Sequence, residues 1–333
     1  MKRRTWIRAG IIAVCAVLLL AGGILAMRLL DRNGEEKRGQ MTSGFGQLKT
    51  VEWNGQKYRE KPAVTTILIG GVDKTLDEET MQGGNYTYRA GGRADFLVLL
   101  AIDHTDKTIH QMQIDRDTMA EVVTLGIFGN ETGTRVLQIC LSHIYGATPQ
   151  DSAKYTVRAV ENLLGGMQVD GYYFVNYSAI PVLNDLVGGV TVTANTDMTS
   201  IHPEWTEGAK ITLHGKEAEQ FVRARMSVGS GTNRERMVRQ NDFMRGAISQ
   251  MNKKISADIG FADTLLTRLQ DIAVTNMTKK RLTEELTEAY NYSTGDPFHP
   301  DGEYGKDEYG YVTFQMREDA AVEWVLEHLY TKE

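Results

Sequence analysis

The sequence predicts an α/β fold: a mixed central β-sheet with helices on both faces (an α/β/α sandwich), preceded by one N-terminal transmembrane helix. Three observations predict it. The run Phe96 to Ile102 is apolar throughout, as a strand covered on both faces must be. From Ser152 to Ala194 a helical period, a strand (Gly171 to Tyr177), a short helix (Ala179 to Leu186) and a second strand (VTVTA) alternate, which builds a mixed sheet flanked by helices. Ala9 to Met27 is 19 residues without a charge. As a helix that run is about 28 Å long, enough to span hydrocarbon.

Residues 1–8 form a short tail and 9–30 an uncleaved anchor, since no small-residue cleavage site follows. Val14 before Cys15 is too large for a lipoprotein signal. Lys2, Arg3, Arg4 and Arg8 precede the span, but Arg28, Arg32, Lys37 and Arg38 follow it, so charge alone leaves its orientation open. Residues 31–45 are a polar tether. Asn54-Gly55 between alternating runs predicts a hairpin. Thr65 to Val72 is a strand that ends at Asp73, and the acidic, glycine-rich segment up to Arg93 is an exposed loop over the sheet edge. Strands at 96–102 and 109–114 follow, then a glycine-bearing turn (129–133) and a helix expected from Val136 to Tyr145.

The helix Ser152 to Leu164 carries Ala153, Val157, Val160 and Leu164 on one side and stops at Gly165-Gly166. Gly215 to Val222 is helical, and Arg223 and Arg225, two apart, would share one side of an extended backbone. Asn233 suits the N-cap of a long helix on which Arg236, Arg239 and Gln240 share a face. Residues 46–255 are the main domain. Residues 256–333 are an extension packed on it: helices at 259–272 and 279–290, a loop from Thr294 to Gly310, the strand YVTF and a closing helix at 319–330. The loop acids lack the spacing of a calcium site.

A net charge of −6 excludes a general nucleic-acid binder. Any bound anion must meet a local arginine cluster. The two cysteines, Cys15 and Cys140, lie in contexts too different for a disulfide. There is no P-loop, dinucleotide fingerprint, zinc set or nucleophile elbow.

Four separate segments bring arginine to a strand end or helix start: Arg93, Arg116, Arg223 with Arg225, and Arg236 with Gln240. Guanidinium groups match phosphate oxygens in pairs and stay charged, which suits a pyrophosphate. Asp73 and Asp95, at the ends of neighbouring strands, could hold one magnesium ion beside phosphate oxygens. Simpler accounts stay open: the two aspartates as turn caps or arginine partners, Arg116 in a local ion pair between Asp115 and Asp117, the later arginines as solvated faces, and His143 as a packed residue.

Gly70-Gly71-Val72-Asp73, Gly92-Arg93-Ala94-Asp95 and Ile114-Asp115-Arg116-Asp117-Thr118 resemble, in order, the N-terminal motifs of the LytR-CpsA-Psr family. YYFVNYSAIPVLNDLVGGVTV and FVRARMSVGSGTNRERMVRQNDF are similar to its later ones. The resemblance covers residues 64–250. It implies a magnesium-dependent enzyme anchored in the cell membrane of a Gram-positive-type bacterium, single-pass, with the N-terminus cytoplasmic and the catalytic domain extracellular. That enzyme would move a glycopolymer, such as a teichoic acid or capsular polysaccharide, from a polyprenyl-pyrophosphate carrier to peptidoglycan through a phosphodiester link. It further implies that Asp73 and Asp95 hold Mg2+, that Arg93, Arg116, Arg223, Arg225, Arg236 and Gln240 bind the pyrophosphate, that Arg93, Arg116 and Asp95 are catalytic, and that an apolar pocket takes the lipid.

The resemblance has departures. Gln138-Ile139-Cys140 stands where Lys-Ile-Asn is usual, Ala94 where serine is common, Asn233-Arg234-Glu235-Arg236 in place of an acidic residue and Gly-Arg, and the 73–93 segment is long. Two rivals remain at this point: a non-catalytic polyprenyl-phosphate scaffold or sensor, and a lipid pyrophosphatase.

Overall fold

The computed structural model describes residues 49–73, 91–258, 260–289 and 292–333. The expected anchor (9–30), the tether (31–45) and residues 74–90 of the expected loop lie outside them. Among the described residues no helix is long and apolar enough to cross a membrane.

The chain runs β1 (Thr50–Trp53), β2 (Gln56–Glu60), β3 (Val64–Val72), β4 (Ala94–Asp103), β5 (Thr108–Ile114), β6 (Met119–Leu125) and β7 (Glu131–Gln138). A 3-10 turn (Ile139–Ile144) leads to α1 (Pro149–Leu163), β8 (Gly171–Asn176), α2 (Ala179–Val187), β9 (Val190–Thr193), β10 (Lys210–Leu213), α3 (Lys216–Arg223) and α4 (Asn233–Ala257). Then come α5 (Phe261–Leu269), β11 (Ala273–Thr275), α6 (Lys279–Ala289), β12 (Ser293–Thr294), β13 (Gly302–Lys306), β14 (Val312–Met316), α7 (Glu318–Leu329) and β15 (Tyr330–Lys332). Asn54 (φ 49°) and Gly55 (φ 76°) are both left-handed, the pair of conformations a two-residue hairpin turn demands.

Six strands form the central sheet in the order β11-β8-β3-β4-β5-β12. β3 pairs parallel to β8 and antiparallel to β4, so the sheet is mixed. Period-two alternation assigns the faces. Ile67, Ile69, Val98 and Leu100 join a core with α2, α3, α4 and α5, while Leu68, Leu97, Leu99 and Ala101 join another with α1 and α7. Helices therefore cover both faces.

Several expectations need correction. The helix expected from Val136 to Tyr145 is instead β7, paired antiparallel with β6, followed by the short 3-10 turn. Val136, the first residue of the expected helix, is 60% exposed. Arg223 does not share an extended stretch with Arg225, because it is the last residue of α3. Thr232, not Asn233, caps α4, accepting from Glu235 N. The helix expected over 259–272 is α-helical to Leu269 and ends in a 3-10 turn (Gln270–Ile272), after which the chain enters the three residues of β11. Those three residues are too short for any periodicity to mark them, and they pair antiparallel with β8. β12 pairs parallel with β5. Both edge strands of the sheet thus come from residues 256–333.

Candidate active site

β3, β5 and β8 end, and β4 begins, on the same side of the sheet, the usual location of a site in an open α/β sheet. The β3–β4 register shifts there: Gly71 pairs with Phe96 but Val72 with Ala94. Asp95 is the extra, unpaired residue of this β-bulge, and bulges re-aim side chains. Gly70 permits the packing beneath, since a Cβ there would meet the Phe174 ring at 2.1 Å.

Asp95, 8% exposed, stands between the partly buried Arg116 and the buried Arg236. Arg116 Nη1 lies 2.7 Å from its Oδ1, and Arg236 Nη1 donates to its Oδ2 at 3.0 Å. Arg116 also reaches Asp117 (Nε to Oδ1, 3.3 Å) and donates from Nη2 to Cys140 Sγ at 2.9 Å. Burial lowers the pKa of Arg116, and Cys140, Asp95 and Asp117 more than restore it, so the guanidinium stays charged. Burial pushes the Cys140 thiol up to about 11 despite the pull of Arg116, so it meets that guanidinium as a neutral thiol. Arg225 donates to Asp117 Oδ2 at 3.2 Å. Burial raises the Asp117 carboxyl above the usual range, and Arg116 and Arg225 oppose it.

Nearer the surface, Asp73 accepts from the Arg93 backbone N–H (2.6 Å) and Nε (2.8 Å). Burial lowers the pKa of Arg93, and Asp73 more than restores it, with smaller opposed contributions from the charges of Arg116 and Asp95. Arg223 sits at the rim, bonded to Glu219 and 4.8 Å above the Tyr177 ring.

Arg236 and Gln240 lie one turn apart on α4, with different surroundings. Arg236 joins the ionic cluster. Gln240 lines an apolar cleft, partly open to solvent, with Phe96, Leu183, Val222, Phe243 and Met244. Gln240 Oε1 is buried without a protein hydrogen-bond partner among the described residues. Arg239 shares the face but braces the backbone instead, donating to Ala224 O.

Other members were not singled out from sequence. Asn233 donates from Nδ2 to Asp115 Oδ1 (2.7 Å) and accepts from Arg236 Nη2 (2.6 Å). Its spacing of three from Arg236 on a helix could have signalled the second contact. Asp115 also accepts from the Asp117 N–H (2.8 Å) and from the Tyr304 hydroxyl. Burial and Asp115 together raise the pKa of that phenol. No local pattern announces Tyr304, which lies 189 residues from Asp115.

His143 is a packed residue. A ring nitrogen lies 2.7 Å from Gly91 O and the ring stacks on Phe174. Burial drives its pKa down to about 4 from 6.5, although Gly91 pulls the other way. Below 6.5 the unfolded chain takes this proton and the native chain resists it, so stability falls with falling pH. Melting temperature is expected to drop as pH is lowered from 6.5 towards about 4, and His143→Gln should flatten that drop. Identical pH slopes in the two proteins would remove His143 as the cause.

Comparisons with known proteins show the family of the chain and its fold. A polyisoprenyl-teichoic acid–peptidoglycan teichoic acid transferase, TagU, from Bacillus anthracis is 25% identical over 280 residues, covering 82% of this chain and 79% of that protein. The crystal structure of Lin1025 from Listeria innocua matches with a TM-score of 0.51 at 27% identity, covering 80% of this chain and 96% of that one. Bacillus subtilis TagV shares the fold with a TM-score of 0.58 at 21% identity, covering 81% and 98%. The LytR_cpsA_psr family model matches residues 31–317, a span that takes in every residue of the arginine–carboxylate cluster, and the chain belongs to that family.

Proposed function

We propose that the protein transfers a glycopolymer from a polyprenyl-pyrophosphate carrier to peptidoglycan. The observation that carries this is the join between two chemistries on one helix: Arg236 faces a cluster of charge and Gln240, one turn on, faces an apolar cleft. Such a site suits an amphiphile with a diphosphate head and a hydrocarbon tail. The Bacillus anthracis relative, named as a polyisoprenyl-teichoic acid–peptidoglycan teichoic acid transferase, supports the same substrate class.

In this reading the peptidoglycan hydroxyl attacks the phosphate on the glycan side. The new P–O bond is a phosphodiester, and polyprenyl phosphate leaves with the electron pair of the broken P–O bond. Arg93 and Arg116 stabilise charge developing on the phosphate oxygens. Arg223, Arg225, Arg236 and Gln240 position the head group. Asp117 is a candidate to take the acceptor proton, because burial raises its pKa.

Mg2+ belongs to the proposal. Two hard carboxylates, Asp73 and Asp95, flank adjoining strand ends, and magnesium is held by one or two carboxylates plus substrate phosphates. Among the described residues no group of three or more His, Cys, Asp or Glu could hold a metal, so diphosphate oxygens and water would complete the shell. Both aspartates accept from arginines in this structure. The ion would supply positive charge at the diphosphate, and carboxylates engaged with it would release guanidinium N–H groups for phosphate. The enzyme would act at the outer face of the cell membrane of a Gram-positive-type bacterium, held by one span at residues 9–30 with its N-terminus in the cytoplasm.

The test is transfer by the full chain in detergent from a short lipid-pyrophosphate-linked glycan to peptidoglycan fragments, followed by mass spectrometry. A phosphodiester adduct that is lost on chelation is expected. Leu183→Trp should obstruct the cleft and lower kcat/KM for the donor. Tight lipid-diphosphate binding without any adduct, unaffected by chelation, would favour the scaffold. Rapid phosphate release that added acceptor leaves unchanged would favour the pyrophosphatase.

A further inference from the structure

Two buried hydrogen-bond donors stand where the ionic cluster meets the apolar cleft. Val72 pairs with Asn176 across β3 and β8 and with Ala94 across β3 and β4, so Asn176 lies level with the bulge that carries Asp95. The next residue, Tyr177, fastens to the same strand end, its N–H donating to Val72 O at 3.2 Å. Both residues line the cleft with Gln240, one turn along α4 from the Arg236 that holds Asp95.

Asn176 is 3% exposed and Tyr177 6%. Asn176 Oδ1 accepts from the Ser178 N–H at 2.8 Å and from the Ser178 hydroxyl, which fixes the amide and leaves Nδ2 as its free end. Among the described residues neither Asn176 Nδ2 nor the Tyr177 hydroxyl has a hydrogen-bond partner. A buried polar group without a partner costs stability, so two of them on adjacent residues at the border of a site call for a ligand.

The phenol is a donor. Burial pushes its pKa above the usual range and Asp95 adds to that, while Arg236, Arg223 and Arg116 oppose it. The ring is pinned from above by the Arg223 guanidinium, 4.8 Å from its centroid. Position then names the ligand. Guanidinium groups lie on one side of this border and apolar side chains on the other. In a prenyl diphosphate the group that falls between the two is the phosphate esterified to the chain.

We propose that Asn176 Nδ2 and the Tyr177 hydroxyl bind the phosphate nearest the prenyl chain, the one that departs with the carrier. The proposal rests on the transferase reading for the departure step. When the P–O bond to the glycan-side phosphate breaks, its electron pair stays on an oxygen of the carrier phosphate. The two donors hydrogen-bond to the charge that arrives there, and neither gives up its proton.

The test titrates the full chain, at one fixed detergent concentration, with farnesyl phosphate and with farnesol, which has the chain without the phosphate. Tyr177→Phe is expected to weaken farnesyl phosphate binding about tenfold, the loss of one hydrogen bond to a charged group, and to leave farnesol binding unchanged. Its melting temperature should hold or rise, because a buried hydroxyl without a protein partner has been removed. Asn176→Ser keeps an oxygen that can accept from the Ser178 N–H and removes Nδ2, and the same selective loss is expected. Turnover in the transfer assay should fall about tenfold in each variant, since the bonds strengthen as charge develops. A variant with wild-type affinity for farnesyl phosphate takes its residue out of the site, and two such variants overturn the proposal. Equal weakening of farnesol and farnesyl phosphate also overturns it, because the loss would then be one of packing. A wild type that binds farnesyl phosphate but transfers nothing counts against the transferase reading, and the two affinities alone then decide the role of the donors.

Discussion

Replacing Arg116 with alanine is expected to lower glycan transfer by at least about 10²–10³-fold, the loss typical of removing one donor from a developing oxyanion. The effect should be this large because Arg116 is shared. It lies 2.7 Å from Asp95 Oδ1 and 3.3 Å from Asp117 Oδ1, so its loss also misplaces both carboxylates. Breaking a buried pair by removing one partner costs about 3–5 kcal/mol, so a lower melting temperature is expected as well. Arg116→Lys separates the two effects. It keeps the charge near Asp95 and preserves much of the stability, but it lacks the planar fork that matches phosphate oxygens, so transfer should stay low. Steady-state transfer beside thermal melting checks both variants, and a folded Arg116→Ala protein with wild-type turnover would remove Arg116 from the chemistry.

Asp95→Asn is the second large effect, and it reports on the metal. The amide keeps the shape of the side chain but removes the carboxylate that Arg116 and Arg236 share. Transfer should fall by about 10²-fold or more through loss of charge organisation around the phosphate. The residual rate should be insensitive to chelation, since half of the proposed magnesium pair is gone. Binding of the lipid diphosphate should persist or tighten, because two guanidiniums lose their competing carboxylate. Donor titrations with and without chelator decide it: a variant that still loses its activity on chelation, as wild type is expected to, would take Asp95 out of the metal site.

Much of the architecture was legible because it is written in consecutive residues. Phe96 to Ile102 alternates between the two cores, Asn54-Gly55 makes its turn, and Gly165-Gly166 ends α1 with both residues at positive φ. The motif residues Asp73, Arg93, Asp95 and Arg116 are likewise local to strand ends, and the fold gathers them. The helix expected from Val136 to Tyr145 gives way to the end of β7 and a 3-10 turn because β7 is held by pairing with β6, a partner that no count within the segment itself can supply.

The sequence by itself determined the mixed α/β class, the stock of arginines and aspartates, and the helix that carries both Arg236 and Gln240, because helical and strand periods are properties of neighbouring residues. The tertiary structure decided the partnerships. A one-residue bulge opposite Val72 turns Asp95 between Arg116 and Arg236. Capping by Thr232 leaves the Asn233 side chain to join Asp115 to Arg236. Two short strands from the last third of the chain complete the sheet, and a hairpin from the same region brings Tyr304 to Asp115. Each of these depends on the register and approach of elements far apart in the chain, and neither is encoded in the spacing of adjacent residues.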